Sequence, residues 1–336
     1  MITDQATVIQ FIENLPKTET HLHLEGALPW DLLVGKNPER FSDQPAFRSE
    51  NFRYSSFEEF ESILIDHALA FFHSSEDYYL ASQKIFELHL SQNVKYVEIS
   101  FHAGMIEFLG IPGKEILAAI KAAVPDSLEV RIFLGMSRNA YNQYLGPKLE
   151  DAIENWDDLA GIDLHGLETI PIQSWTKPFW ERASKNGKVL KAHAGEFGPA
   201  ENVLYAIKEL KVRRIQHGVH ASNDLDLLRL AREENVVFDL CPISNYKLKV
   251  IEKWEDHPLP NYLKEGLVCT LSTDDPLSFN NTLNQEYLVC HKELGLDIKN
   301  LSKLARNGFE IADLPSSEKT KWQDEIRSVE RNVKNE

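Results

Sequence analysis

Short apolar runs alternate with longer amphipathic stretches along most of the chain. Eight runs have strand length and are rich in β-branched residues; they cover residues 18–24, 94–100, 128–135, 161–166, 188–195, 213–218, 236–242 and 267–275. Stretches with helical spacing of apolar residues, such as 115–123 and 223–234, lie between most of them. Strands that alternate with helices indicate parallel βαβ units. Eight such units predict an α/β fold of the closed (β/α)8 type, a TIM barrel, rather than an open sheet.

The interval between the first two strand runs is too long for one crossover. Residues 27–93 contain two aromatic-rich helical patterns, at 56–72 and 76–90. We expect this stretch to be a helical insertion that lies over the barrel mouth as a lid region. Its apolar residues either line a lid or form the inner face of a helix: Phe57, Phe60, Leu64 and Phe71.

The C-terminal part of the chain is predicted to be helical outside the barrel. Residues 284–307 have a helical pattern, and 315–336 predict a charged terminal helix that packs on the outside. No Gly/Ser linker or low-complexity tract interrupts the chain. We therefore expect one domain over 1–336.

Composition and charge limit the partners. The chain has 36 Lys and Arg against 52 Asp and Glu, a formal charge of −16. A field of that sign repels nucleic acid and anionic lipid, so we expect neither as a partner. Three widely spaced cysteines form neither a disulfide framework nor a CxxC metal motif. With no visible signal peptide and no apolar segment of about 18 residues, a soluble cytoplasmic protein is expected.

Polar side chains collect where the strand runs end, which is where TIM barrels carry their catalytic groups. His21 and His23 face the same side of the first strand, because they are two residues apart. Further polar groups end the fifth, sixth and eighth runs, in HAGE (193–196), QHG (216–218) and STDDP (272–276). A lone histidine at a strand end is usually a hydrogen-bonded core residue. Several on one rim are hard to explain in that way, because an unpaired buried polar group costs about 1–3 kcal/mol.

These residue types suit a catalytic zinc ion. Zn²⁺ takes imidazole nitrogen and carboxylate oxygen and keeps one position for water. His21, His23 and His193, with one aspartate, would supply that set. Glu196 then suits a proton shuttle, and His217 could orient or help deprotonate the water. We expect one Zn²⁺ per chain.

Five motifs resemble the adenosine deaminase family of the amidohydrolase superfamily: THLHLEG, HAGE, RIQHGV, LCPISN and STDDP. They occur in the family's order and at its separations, and the resemblance covers about residues 16–278. It implies zinc-dependent attack of water at C6 of a purine, with release of ammonia. It also implies the zinc ligands, which are His21, His23, His193 and Asp274.

The resemblance further assigns roles around the purine. It implies that Glu196 protonates N1 and that His217 positions and activates the attacking water beside Asp274. The same resemblance implies that the backbone amide of Gly166 meets N3 and that Asp275 hydrogen-bonds N7. The zinc ligand His23 borders the substrate as well.

The exact substrate is less defined, because Glu25 stands where adenosine deaminases usually have a ribose-binding aspartate. Glutamate there resembles the branches that act on adenine or on modified nucleosides such as aminodeoxyfutalosine. Strand 4 also continues as HGLET, where many members have AGDE. We expect a 6-aminopurine nucleoside as substrate, adenosine or similar, with an inosine-type product. Adenine deaminase and aminodeoxyfutalosine deaminase are the alternatives.

Other interpretations remain beside this one. A catalytically inactive relative that binds metal or purine is the non-enzymatic alternative, but a closed structural zinc site would leave Glu196, His217 and Asp275 without a role. Cytosine and guanine deaminases share HxH and HxxE, yet STDDP and DLHG fit the adenosine branch better. The zinc deaminases with PCxxC are excluded because the chain has no such motif. His102 and His165 either touch the substrate or make structural hydrogen bonds.

Overall fold

A computed structural model describes residues 5–335 of the chain. Eight parallel strands form one sheet in chain order, which confirms the predicted (β/α)8 barrel. The strands are β1 Lys17–His23, β2 Val94–His102, β3 Glu129–Ser137, β4 Leu159–His165, β5 Val189–Ala194, β6 Arg214–His217, β7 Val237–Leu240 and β8 Val268–Leu271.

The barrel closes between its first and last strands just beyond the end of β8. Leu22 of β1 forms a parallel bridge with Asp274. The amide of His23 donates to the Asp274 carbonyl, and the amide of Asp274 donates to the His21 carbonyl, each at 3.1 Å. Closure therefore brings HxH and the STDDP segment into direct main-chain contact.

Helices surround the strands. The helices before β3 are α1 Gln5–Asn14, α2 Trp30–Lys36, α3 Pro38–Phe41, α4 Phe57–Phe71, α5 Ser75–Ser91, α6 Gly104–Leu109 and α7 Gly113–Ala122. Those that follow are α8 Gly146–Asn155, α9 Thr176–Lys185, α10 Ala200–Lys208, α11 Leu225–Glu233, α12 Pro242–Lys247, α13 Leu259–Lys264, α14 Pro276–Phe279, α15 Leu283–Lys292, α16 Ile298–Ile311 and α17 Ser316–Asn335. Short 3-10 turns occupy Glu25–Ala27, Ala46–Arg48, Val219–Asn223 and Trp254–Asp256.

The helical pattern over 284–307 does not form one continuous helix. Two helices, α15 and α16, occupy this part of the chain. Gly295 between them has φ +67°, a left-handed conformation that a helix interior does not allow. Asp297 then caps α16 by accepting from the Asn300 amide at 2.8 Å. Residue 336, the last of the predicted terminal helix, lies outside the described residues.

The stretch predicted as an insertion, 27–93, is helical, and its two long helices pack in different parts of the fold. Helix α4 begins after Ser56, whose hydroxyl accepts from the Glu59 amide, and it packs against α2 and α14 near the barrel mouth. Helix α5 packs instead against β2 and α7 in the outer ring. The division of the chain into domains stays a prediction.

A buried charged layer fills the barrel interior beneath the mouth. The Arg214 guanidinium donates to Glu98 at 2.8 Å and to Asp239 at 3.0 Å, and Lys191 also pairs with Glu98. Every charge in this layer has a partner, which is the condition for burying ions at low cost. Among the described residues, no helix combines the length and apolar character needed to cross a bilayer.

Candidate functional site

Three imidazoles converge at the C-terminal mouth of the barrel. The Nε2 atom of His193 lies 3.0 Å from that of His21 and 3.2 Å from that of His23. The two β1 histidines are 3.3 Å apart at the same atoms. The two-residue repeat of β1 brings its pair to one side, and β5 delivers the third ring from across the barrel.

Asp274 completes this cluster from the end of β8. Its Oδ1 lies 3.3 Å from Nε2 of both His21 and His23. Its φ of +65° places the carboxylate over the mouth instead of along the strand, and Oδ2 accepts from the Ser244 hydroxyl at 2.7 Å. Ligands about 2.0–2.1 Å from a tetrahedral Zn²⁺ are about 3.3 Å from one another. Five of the six distances among the four predicted ligand atoms therefore suit such an ion.

The orientation of the rings also fits a metal. The remaining nitrogen of each ring already has a partner: His23 Nδ1 with Ser100 Oγ at 3.1 Å, His193 Nδ1 with Leu164 O at 3.1 Å, and His21 Nδ1 with Cys241 Sγ at 3.4 Å. Such contacts fix the ring and direct its Nε2 atom at the ion in metal sites. Cys241, one of the three cysteines, thus touches a candidate ligand.

Glu196 and His217 lie beside the cluster. Glu196 Oε1 is 3.5 Å from His217 Nε2, whose ring in turn is 3.8 Å from Asp274 Oδ2. Burial, and then the charge of Asp274, raises the pKa of the Glu196 carboxyl well above its usual value. Asn245 Nδ2 donates to His217 Nδ1 at 3.1 Å, which leaves the Nε2 atom to face the site. His217 also stands close enough to His21, His193 and Asp274 to share a metal with them.

Asp275 presents a free oxygen to the cavity. Its side chain is buried, and its Oδ1 has no hydrogen-bond partner among the described residues. Burial, and then the neighbouring Asp274 charge, raises the pKa of the Asp275 carboxyl. A Cβ atom on Gly26 would lie 1.6 Å from this Oδ1, so only glycine leaves room for the carboxyl. Gly166 follows β4 with φ +78° and lines the same cavity.

The mouth has an apolar wall. Three of the four predicted lid side chains line the cavity, namely Phe57, Phe60 and Leu64, and α6 adds Met105 and Phe108. Phe71, the fourth, belongs instead to the hydrophobic core. All lining residues are described in the structure, and none of them is Lys or Arg.

The side of the mouth formed by β2 and β4 is polar and already hydrogen-bonded. The Glu25 carboxylate accepts from the Tyr78 hydroxyl at 2.9 Å and from the His102 amide at 3.2 Å. His102 Nδ1 lies 3.1 Å from His165 Nε2, and both rings line the cavity. Burial lowers the pKa of His102 to about 4 and that of His165 well below its usual value, so the pair is neutral.

Glu168 is a residue of the site to which the sequence-based predictions did not assign a role. Glu168, three residues beyond β4, accepts hydrogen bonds from the loop that carries Glu196. The sequence signal was a carboxylate just after a strand end, in HGLET, but its partners are about 30 residues away.

A parallel eight-stranded barrel with histidines, aspartates and a glutamic acid at its C-terminal mouth has the architecture of the metal-dependent amidohydrolases. Residues 16–329 match the family model described as Adenosine deaminase. The chain belongs to this family, whose members are deaminating hydrolases.

Curated relatives and solved structures agree with that assignment. The chain is 30% identical to an adenine deaminase of Chlorobium phaeobacteroides over 96% of this chain and 99% of the relative. It is 31% identical to an adenine deaminase of Crocosphaera subtropica, with 92% and 97% covered. The structure of adenine deaminase from Arthrobacter aurescens has the same fold, with TM-score 0.84 at 24% identity over 94% and 98% of the two chains. So does a Burkholderia ambifaria amidohydrolase solved with bound Zn, at TM-score 0.85 and 22% identity over 100% and 97%.

Proposed function

We propose that this protein hydrolyses the 6-amino group of free adenine, giving hypoxanthine and ammonia. The expectation of a nucleoside substrate gives way to its alternative, because the relatives at 30% and 31% identity are named adenine deaminases. The observation that carries the proposal is the closed polar wall formed by Glu25, Tyr78, His102 and His165.

The polar groups of this wall are already hydrogen-bonded to one another, so they leave few donors and acceptors for a sugar to bind. If the Gly166 amide meets purine N3, then N9 lies on the same edge of the purine, and the residue next to Gly166 on the cavity lining is His165. Each ring packs against a glycine, His102 against Gly104 and His165 against Gly135, and the two rings contact each other at 3.1 Å. The Glu25 carboxylate, at the position that suits a ribose hydroxyl in the adenosine branch, is already engaged.

A nucleotide substrate fits less well. A phosphate monoester carries up to two negative charges, and the lining side chains include acidic Glu25 and Glu61 with no cation. An N6-methyl-AMP deaminase from Arabidopsis thaliana shares the fold, with TM-score 0.79 at 21% identity over 95% and 98% of the chains. A likeness of that degree concerns architecture and does not outweigh a cavity lining that has acidic side chains and no Lys or Arg.

We infer one Zn²⁺ per chain, held by the cluster of His21, His23, His193 and Asp274. Its convergent Nε2 atoms and the carboxylate oxygen support this set, and the Burkholderia relative was solved with bound Zn. When bound, zinc lowers the pKa of a water molecule toward neutrality and polarises it for attack on carbon.

The protein's own groups would handle the protons. The raised pKa of Glu196 favours its protonated form, which can give its proton to purine N1 as the water attacks C6. His217 orients the water on the other side. The amino group takes up one proton of the water and leaves as ammonia, while the other water proton returns to Glu196 as the 6-oxo group forms. The raised pKa of Asp275 favours its protonated form, which can donate to N7, and the Gly166 amide donates to N3.

The test is a parallel assay of ammonia release by the zinc-loaded protein. Adenine, adenosine, deoxyadenosine, aminodeoxyfutalosine and AMP are compared at equal concentration, with metal content measured in the same samples. We expect kcat/KM for adenine to exceed the others by about 100-fold, or roughly 2.7 kcal/mol. Preference for a nucleoside would overturn the base specificity. Ammonia from none of them at full metal loading would favour the inactive relative.

A further inference from the structure

A buried carboxylate organises the loop between β5 and α10. The Glu168 side chain is fully enclosed, and it accepts from five donors at 2.6–2.9 Å. Four of them are consecutive main-chain amides, those of Gly195, Glu196, Phe197 and Gly198, and the fifth is the Asn202 side chain. We call this arrangement the Glu168 clamp.

The clamp is tied to the candidate metal cluster by an arginine. Arg138 Nη2 lies 3.8 Å from Glu168 Oε1 and donates to the His193 carbonyl at 3.3 Å. Arg138 Nη1 also donates to the Ile170 carbonyl at 3.2 Å. The guanidinium thus offsets the buried negative charge and links the loop after β4 to the end of β5, three residues before Glu196.

The loop conformation suits this one acceptor. Gly195 has φ +72°, which turns the chain sharply after β5. A Cβ on Gly198 would lie 2.6 Å from Glu168 Oε1 and 2.2 Å from Asn202 Nδ2. Glycines at both ends therefore allow four successive amides to point inward at one carboxylate, as main-chain amides do in anion-binding nests.

We propose that Glu168 is a positioning residue for the proton transfer by Glu196. The Glu196 carboxyl lies 3.5 Å from His217 Nε2, and the direction of this carboxyl depends on where the loop main chain places it. Glu168 fixes that main chain directly through the Glu196 amide. This inference rests on the proposed function, in which Glu196 must reach purine N1.

Glu168→Gln tests the clamp. Glutamine keeps the size of the side chain but turns one acceptor oxygen into an NH₂ group that faces amide donors. We expect kcat for adenine to fall about 10- to 100-fold, because displacements of about 1 Å at a reacting group cost that much. KM should change less than about threefold, and bound zinc should stay at the wild-type level. Glu168→Asp should recover part of the rate, since both acceptor oxygens return on a shorter side chain.

A double-mutant cycle separates positioning from general damage. In a protein that already carries Glu196→Gln, adding Glu168→Gln should have no further effect on the residual rate, because the group being positioned is gone. Equal losses in both backgrounds would refute the proposal, as would loss of zinc or a rise in KM without a change in kcat. Ile207→Val, a buried change on α10 away from the clamp, is the stability control and should keep full kcat.

Hydrogen exchange provides a readout that does not depend on turnover. The amides of residues 195–198 should lose protection in Glu168→Gln, while those of β3 should not. This result is expected even if the wild-type protein releases no ammonia, so failure of the proposed function remains distinguishable from failure of the clamp. Unchanged protection at 195–198 would overturn the inference. Should Glu168→Gln not fold, Glu168→Asp is measured in the same way.

Discussion

Three acidic side chains in the site have pKa values that are shifted in different directions. Asp274 has its pKa lowered well below the usual value: burial opposes ionisation, but the adjacent His21 and His23 outweigh it. For Asp275 and Glu196, burial dominates and raises the pKa. Carboxyls pushed apart in this way take different roles. Asp274 suits an anionic ligand, whereas the other two suit proton or hydrogen-bond donors.

Glu196→Gln tests the proton donor. The amide keeps the shape of the side chain but cannot transfer a proton to N1, so we expect kcat for adenine to fall about 10²- to 10⁴-fold. Zinc content, measured by elemental analysis, should not change. Glu61→Gln, on a carboxylate that lines the cavity from α4, serves as the control and should stay near the wild-type rate. Wild-type turnover in Glu196→Gln would exclude this role.

The pH dependence follows from the same shift. A raised pKa means that Glu196 is protonated below that pKa and loses its proton as the pH rises through it. The active form is the protonated one, so kcat/KM for adenine should be level below that pKa and fall on its alkaline side. In Glu196→Gln this alkaline limb should disappear from the residual activity. A limb that persists unchanged in the variant would assign it to another group.

Adjacent aspartates should respond differently to the same substitution. Asp274→Asn removes a charged oxygen from the metal cluster, so we expect bound zinc and activity to be lost together. Asp275→Asn leaves the cluster intact but replaces the donor to N7, so zinc should remain while KM for adenine rises. Metal content and steady-state kinetics of both variants decide between them. Loss of zinc only in Asp275→Asn would reverse the assignment.

At the scale of elements, the local sequence pattern predicts the barrel but does not predict the contacts between its loops. The two-residue repeat of β1 and the ends of β5 and β8 predicted which side chains share the mouth, and the structure brings them together. The Glu168 clamp joins the loops after β4 and β5, and the His102–His165 pair joins the ends of β2 and β4, so both depend on tertiary contacts that no local pattern encodes. The break at Gly295 was missed because glycine also occurs within helical patterns at moderate cost.

Helix α4 illustrates an ambiguity that only tertiary structure resolves. Leu64 lines the cavity and Phe71 enters the core, although both fit the apolar stripe of one helix. Leu64→Ala should raise KM for adenine several-fold with kcat unchanged, because it removes apolar contact worth about 1 kcal/mol. Phe71→Leu is the control on the same helix and should lower the melting temperature without affecting KM. The opposite pattern would place Phe71 at the substrate.

At the scale of the whole molecule, the candidate metal cluster lies across the seam where the barrel closes. His21 and His23 come from the first strand and Asp274 follows the eighth, and main-chain hydrogen bonds join them directly. An ion that binds all of them would hold the two edges of the sheet together. The charged layer below, with Arg214 between Glu98 and Asp239, bridges strands within the sheet and is complete without a metal.

Metal removal should therefore destabilise the barrel at the seam between β1 and the segment that follows β8. A ligand present at 100 times its Kd stabilises the folded state by about 2.7 kcal/mol, so chelation should lower the melting temperature by several degrees, and added zinc should restore it. Hydrogen exchange should accelerate at the amides of His23 and Asp274, which cross the seam, and change little between β3 and β4 on the far side. Uniform acceleration would mean that the ion stabilises the whole fold without acting at the closure. No acceleration at His23 or Asp274 would mean that these side chains do not share an ion.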